Sequence, residues 1–237
     1  MKLEDKNLEQ FLCTILNKKI DDITKTDIEQ FERIVFNGKR YDNTDNKVNY
    51  DIVNDMPNLK DVCISNEKFD AAKANVLNSI IRLDLDSCEI ITKDIFKDNK
   101  LEELSMFRCN VDSYDNLIEN LHSLSKLEIV NPSDENEIDL SKISPKIITL
   151  DLRECIINNI QCLESFDSCE NLCLFRTYID ISKSDIFLKM KSLKKLIVSK
   201  EYISDEVINE LTNKGIKVKF DLFDDEYVDD LDEGLNK

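Results

Sequence analysis

One apolar spacing recurs along most of this chain and limits what it can fold into. Written as apolar-x-x-apolar-x-apolar-x-x-N/C-x-apolar, it reads Ile80-x-x-Leu83-x-Leu85-x-x-Cys88-x-Ile90, then Leu101-x-x-Leu104-x-Met106-x-x-Cys109-x-Val111. It returns as Ile147-x-x-Leu150-x-Leu152-x-x-Cys155-x-Ile157 and Cys169-x-x-Leu172-x-Leu174-x-x-Thr177-x-Ile179. Weaker copies start at Phe31, Leu59, Leu124 and Leu193, and Val218-x-Phe220 closes the series. The starts, at 31, 59, 80, 101, 124, 147, 169, 193 and 215, lie 21 to 28 residues apart. The eight full copies hold 32 apolar motif sites, and only Asp134 fails when Cys and Tyr count as apolar. A chain that is 41% hydrophobic fills roughly 13 such sites by chance.

A unit of this length cannot bury its apolar face alone, so copies must stack and share one core. The alternation in each apolar-x-apolar step predicts a short strand with its apolar residues inward, and stacking pairs these strands into a parallel sheet. Only 3 Gly and 3 Pro are present, which argues against folds built on tight hairpins.

On these residues the chain resembles the leucine-rich-repeat family over about residues 20–220, in the short class with repeats of about 22 residues. The resemblance implies an α/β solenoid with a concave parallel β-sheet, about eight full repeats and a helical N-terminal cap. It also implies that the ninth motif position turns inward, where the family has Asn bonding to backbone. Here Cys88, Cys109, Cys155 and Thr177 stand there, while Lys39, Glu67, Pro132 and Glu201 interrupt the ladder.

The organisation expected is a helical N-terminal cap at 1–30, a solenoid at 31–220 with a C-terminal capping helix and strand, and an acidic tail at 221–237. Leu8, Phe11, Leu12, Ile15 and Leu16 recur at helical spacing. Thr26-Asp27-Ile28-Glu29 fits a capping box, and the run Ile23–Ile28 is similar to the entry of bacterial internalin-type repeats. Ser204 is placed to cap a short helix that Gly215 stops.

Met1 to Gln30 carries acids and no uninterrupted apolar run, and no stretch has the roughly 18 apolar residues of a membrane span. The expected location is the cytoplasm, with the eight cysteines mostly free thiols. Net charge is −17, of which residues 221–237 carry −7. Such a chain is repelled by phosphate backbones and anionic membranes, so neither nucleic acid nor membrane is an expected partner. A protein partner, including a basic one, fits.

Catalytic chemistry finds little purchase. His122 is the one histidine, which rules out a two-histidine metal site. Cys155, Cys162, Cys169 and Cys173 offer four thiols, but Cys155 falls at an inward position and Cys173 at an outward one. Gly38, Gly215 and Gly234 lie too far apart to form a phosphate loop. No cofactor, metal or catalytic residue is expected.

If the motif leucines point inward, the third, fifth and seventh positions face outward across the sheet. On that face Phe107, Val130, Arg153 and Phe175 share the seventh-position column, with Arg108 and Arg176 one residue further on. Aromatics beside arginines have the composition of interaction hot spots. The expected function is a non-catalytic, monomeric scaffold or adaptor that binds a protein through these residues. The alternatives are an acidic-tailed regulator or chaperone of basic proteins, in the manner of leucine-rich acidic nuclear proteins, or the regulatory subunit of an enzyme.

Overall fold

Each copy of the motif becomes one strand. The computed structural model describes residues 6–37, 56–66, 68–70, 79–91, 100–119, 121–132 and 136–221. Within them run β1 (Arg33–Asn37), β2 (Asp61–Ser65), β3 (Arg82–Asp86), β4 (Glu103–Phe107) and β5 (Lys126–Val130). The series continues with β6 (Thr149–Arg153), β7 (Asn171–Leu174), β8 (Lys195–Val198) and β9 (Lys217–Lys219). All nine pair in sequence order in one parallel sheet.

The register is the one set by the motif. Leu83 pairs with Leu104, Leu104 with Leu127, Leu127 with Leu150, Leu150 with Leu172, and Leu172 with Leu196. Slipping one strand by a residue would turn its leucines to the other face, so burial itself holds the alignment. Leu83, Leu104, Leu127, Leu150 and Leu196 are fully buried, each contributing roughly 1.5–3 kcal/mol from the transfer of its side chain out of water.

After β2 to β7 the chain turns without glycine. The eighth motif position takes the left-handed conformation in six successive copies: Asn66, Ser87, Arg108, Asn131, Glu154 and Arg176, with φ between 49° and 58°. Asn suits this region; Ser, Arg and Glu occupy it against a steric cost. What holds them is the neighbouring repeat. The Ser87 amide donates to the Phe107 carbonyl at 2.8 Å, Arg108 to Val130 at 3.0 Å, and Asn131 to Arg153 at 3.0 Å. Past the turn, Lys68–Asp70, Glu89–Ile91 and Asn110–Val111 form a second small parallel sheet, and Glu137–Asp139 pairs with Ile156–Asn158.

The inward ninth positions form a ladder of their own. The thiols of Cys88, Cys109 and Cys155 donate to the carbonyls of Ile64, Leu85 and Ile129 at 3.4, 3.5 and 3.2 Å, and the Thr177 hydroxyl donates to the Leu152 carbonyl. Every acceptor is the sixth-position residue of the repeat before. Lys39 and Glu67, which interrupt the pattern, lie outside the described residues, as does the tail from Leu222 onward.

Helix α1 (Lys6–Leu16) buries Phe11 and Leu12, and the Phe11 ring stacks on Phe36 of β1 with centroids 5.1 Å apart. Helix α2 (Lys25–Glu29) starts from Thr24, not Thr26: Thr24 accepts from the Asp27 amide, and Asp27 accepts from the Thr24 backbone. Both threonines precede an acid three residues on, and the extended backbone at Thr24 selects the first. Helix α3 (Tyr114–Ile118) and helix α4 (Asp205–Asn213) lie between strands, the latter capped by Ser204 accepting from the Val207 amide. Gly215, at φ 80°, follows α4.

Candidate functional site

Three columns of side chains cross the outer face of the sheet, and cross-strand spacing of about 4.8 Å makes each residue the neighbour of its equivalents. The seventh-position column is continuous: Asp86 pairs with Phe107, Phe107 with Val130, and Val130 with Arg153. Phe107, Val130, Arg153 and Phe175 are all half-buried. Phe175 follows β7, and its carbonyl accepts from the Glu154 amide at 3.1 Å; the members of the column differ in freedom. Arg153 Nε lies 2.9 Å from the Asp151 carboxylate, and its side chain keeps only 16% exposure. Arg153 is thus committed to its own strand.

Arg108 and Arg176 stand at the left-handed turns, where the backbone throws their side chains outward. Arg108 Nη2 contacts both Asp86 carboxylate oxygens at 2.8 and 3.0 Å, and Arg176 Nη1 donates to Glu154 at 2.9 Å. Arg176 also lies over the Phe175 ring, 5.2 Å from its centroid. Both guanidiniums stay more than 60% exposed, so these pairs are weak and exchangeable.

The fifth-position column departs from its expected exposure. Asp84 and Glu128 are half-buried, but Ser105, Asp151, Cys173 and Ile197 are buried, with Asp151 at 2%. Flanking columns on both sides, together with the Arg153 side chain, shield the centre of the face. Burial pushes the Asp151 carboxyl above the ordinary aspartate range, while Arg153 beside it pulls the other way and the Glu128 charge adds to the rise. The Cys173 thiol is pushed up to about 12, first by burial and then by the Asp151 charge. Acids along the sheet are matched within their own strands: Arg82 with Asp84 at 3.3 Å, Lys126 with Glu128 at 3.2 Å. Ser105 Oγ donates to Glu128 at 2.7 Å from the next strand.

Sequence reasoning missed a groove of about 550 Å³ on this face, running over β5 to β8. Lys126, Thr149, Asn171 and Lys195 line one side, and Glu128, Asp151, Cys173 and Ile197 its centre. The outward-facing members of this lining are legible as such in the sequence; the hollow between them is not. Burial holds the Cys173 thiol in the protonated form, which is a poor nucleophile and a poor metal ligand. Among the described residues no group of three or more His, Cys, Asp or Glu side chains is placed to hold a metal ion. His122 is exposed.

Parallel strands stacked in the register of this motif define a leucine-rich-repeat solenoid of α/β type. Among solved structures, the chain is similar to InlP from Listeria monocytogenes, with a TM-score of 0.51 at 12% sequence identity over 82% of this chain. This chain spans 64% of the length of that one. An internalin, InlF, from Listeria monocytogenes strain 4b F2365 matches with a TM-score of 0.44 at 13% identity, covering 93% of this chain and 96% of that one. The likeness to InlP is one of fold. No protein-family model matches the sequence, and no curated protein matches it. Among the described residues no helix is long and apolar enough to cross a membrane.

Proposed function

We propose that this chain is a non-catalytic scaffold that holds a protein partner on the concave face of its sheet. The observation that carries the reading is the seventh-position column, in which Phe107 pairs with Val130 and Val130 with Arg153, with Phe175 at the next repeat under the exposed guanidinium of Arg176 and Arg108 exposed one residue after Phe107. Such a stripe combines anchors with a polar surround, the division of labour found at protein interfaces. Arg153 takes part through the Asp151 pair, which fixes the centre of the stripe. The division into a cap at 1–30, a solenoid at 31–220 and a tail at 221–237 belongs to the same reading.

The reading places the protein in a reducing compartment, the cytoplasm, as a monomer. Its support is the thiol ladder: Cys88, Cys109 and Cys155 serve the fold as S–H donors to carbonyls, a role that a disulfide would end. The test is affinity capture with the intact chain and with a Phe107→Ala/Phe175→Ala variant in parallel. A partner retained by the first and lost by the second supports the assignment. Equal recovery on both refutes it.

A further inference from the structure

The two ends of the sheet differ. At β1, Phe36 is covered by Phe11 and is 2% exposed. Just after β9 the equivalent residue, Phe220, is 36% exposed, and Val218 within β9 is half-buried, although Leu196 and Val198 one repeat earlier are fully buried. The apolar end of a solenoid needs a cover.

The same end gathers cations in a chain whose net charge is −17. Lys195 pairs in register with Lys217, and Ile197 with Lys219, so three lysines close the outer face of the sheet. On the adjoining rim Lys200 lies over the Phe220 ring at 5.4 Å, and Tyr178, 72% exposed, packs edge-on against Tyr202. The Arg176 amide donates to Ser199 Oγ at 2.9 Å, which joins the two rims into one surface. Lys200 pairs with Asp205 and Arg176 with Glu154, but both contacts are exposed and of little worth against a denser set of carboxylates.

The chain leaving this spot is complementary to this surface in charge and carries apolar side chains as well. After Asp221 the sequence runs Leu222, Phe223, Asp224, Asp225, Glu226, Tyr227, Val228, Asp229, Asp230, Leu231. Apolar residues alternate with clustered acids. An extended stretch of six residues spans about 20 Å, enough to cross about four strands at 4.8 Å spacing. We propose that residues 222–237 dock in cis on the C-terminal end of their own solenoid. Their apolar side chains cover Val218 and Phe220, and their carboxylates engage Lys195, Lys200 and Lys217. The surface is an acceptor for an acidic, aromatic-bearing segment, and the tethered tail is that segment. The proposal does not depend on the stripe around Phe107.

Zero-length carbodiimide coupling of the full chain tests it, on an equal mixture of light and nitrogen-15-labelled protein at high dilution. Links within one chain from the tail carboxylates to Lys195, Lys200 and Lys217, several-fold more frequent than to Lys25 or Lys142, are expected. They should fall several-fold near 1 M salt, where the Debye length is about 3 Å. Links found only between light and heavy chains would overturn the proposal in favour of a second copy as occupant. Links spread evenly over all lysines would overturn it outright. A second measurement follows amide hydrogen exchange in the full chain carrying Asp224→Asn, Asp225→Asn, Glu226→Gln, Asp229→Asn and Asp230→Asn. All five positions follow Asp221 in the sequence. Exchange at Lys217–Phe220 should quicken several-fold over the unaltered chain, and an unchanged rate would also defeat the proposal.

Discussion

The Cys155 thiol donates across 3.2 Å to the carbonyl of Ile129, a residue of the preceding repeat. The same step joins Cys88 to Ile64 and Cys109 to Leu85, and the Thr177 hydroxyl to Leu152. Each such bond adds a donor to a buried carbonyl, so the ninth residue need only be small enough to turn inward and carry one polar hydrogen.

That account predicts unequal effects of two substitutions at Cys155, which is 3% exposed. Cys155→Ala removes this donor to the Ile129 carbonyl, at a cost of about 0.5–1.5 kcal/mol in a urea titration. Cys155→Thr presents the hydroxyl that already serves one repeat later at Thr177, and should lose much less. Equal losses in the two variants would mean that the thiol acts by volume alone.

The left-handed turns supply a second prediction. Ser87 sits at φ 55° while its amide donates to the Phe107 carbonyl at 2.8 Å. A β-branched residue cannot take that conformation without strain, whereas glycine can. Ser87→Val should destabilise the fold by about 1–2 kcal/mol. Ser87→Gly should be neutral or stabilising by up to about 1 kcal/mol in chemical denaturation. Loss of stability in the glycine variant would show that the Ser87 hydroxyl, 3.0 Å from Asp86, matters more than the backbone.

How far the sequence could be read follows from these cases. Inward positions are legible because a single spacing places them, and Leu83 through Leu196 fall in one register as that spacing requires. The burial of Asp151 and Cys173 is not legible in this way. It depends on what stands beside them on other strands and on where the Arg153 side chain lies, which is information the linear spacing does not carry. The groove over β5 to β8 escapes for the same reason. The turns escape for another: left-handed residues are ordinarily signalled by Gly, and here neighbouring repeats hold Ser, Arg and Glu there by backbone bonds.

Asp151 gives the third prediction, in which the structure revises the sequence. Facing outward, Asp151→Ala would cost little; buried and paired with Arg153, it should exceed the 0.5 kcal/mol or so of a surface change. Leu150→Ala, one residue away and fully buried, should cost about 2–5 kcal/mol through the cavity it opens. Burial raises the folded-state pKa of Asp151 above the ordinary 3.8, so the unfolded chain gives up this proton first. The carboxyl therefore costs nothing when protonated in both states. Stability is lost as pH rises through 3.8 and on through the raised folded value. Asp151→Asn lacks this dependence. The stability of the unaltered protein minus that of the Asn variant should fall as pH rises through 3.8 and level off above the raised folded value in parallel urea titrations. A difference that rises with pH would mean that the Arg153 pair outweighs burial.

The fourth prediction concerns the stripe. Phe107 and Phe175 are half-buried and bracket Val130 and Arg153, so a partner laid along the seventh-position column meets both rings. Truncating a buried aromatic anchor costs about 2 kcal/mol of binding, roughly a thirtyfold loss of affinity. Phe107→Ala and Phe175→Ala should each show that loss by titration calorimetry with the captured partner, while their unfolding midpoints stay close to that of the unaltered chain. Arg153→Ala should behave differently. Its loss leaves the buried Asp151 carboxylate without its cation, so stability should drop along with binding. Neutralising the acids of residues 224–233 separates the scaffold from an acidic regulator of basic proteins. The scaffold keeps its partner and the Phe variants lose it; in the acidic regulator the neutralised tail loses the partner and the Phe changes are silent. Unaltered affinity in both Phe variants would remove the stripe from consideration, whatever the tail does.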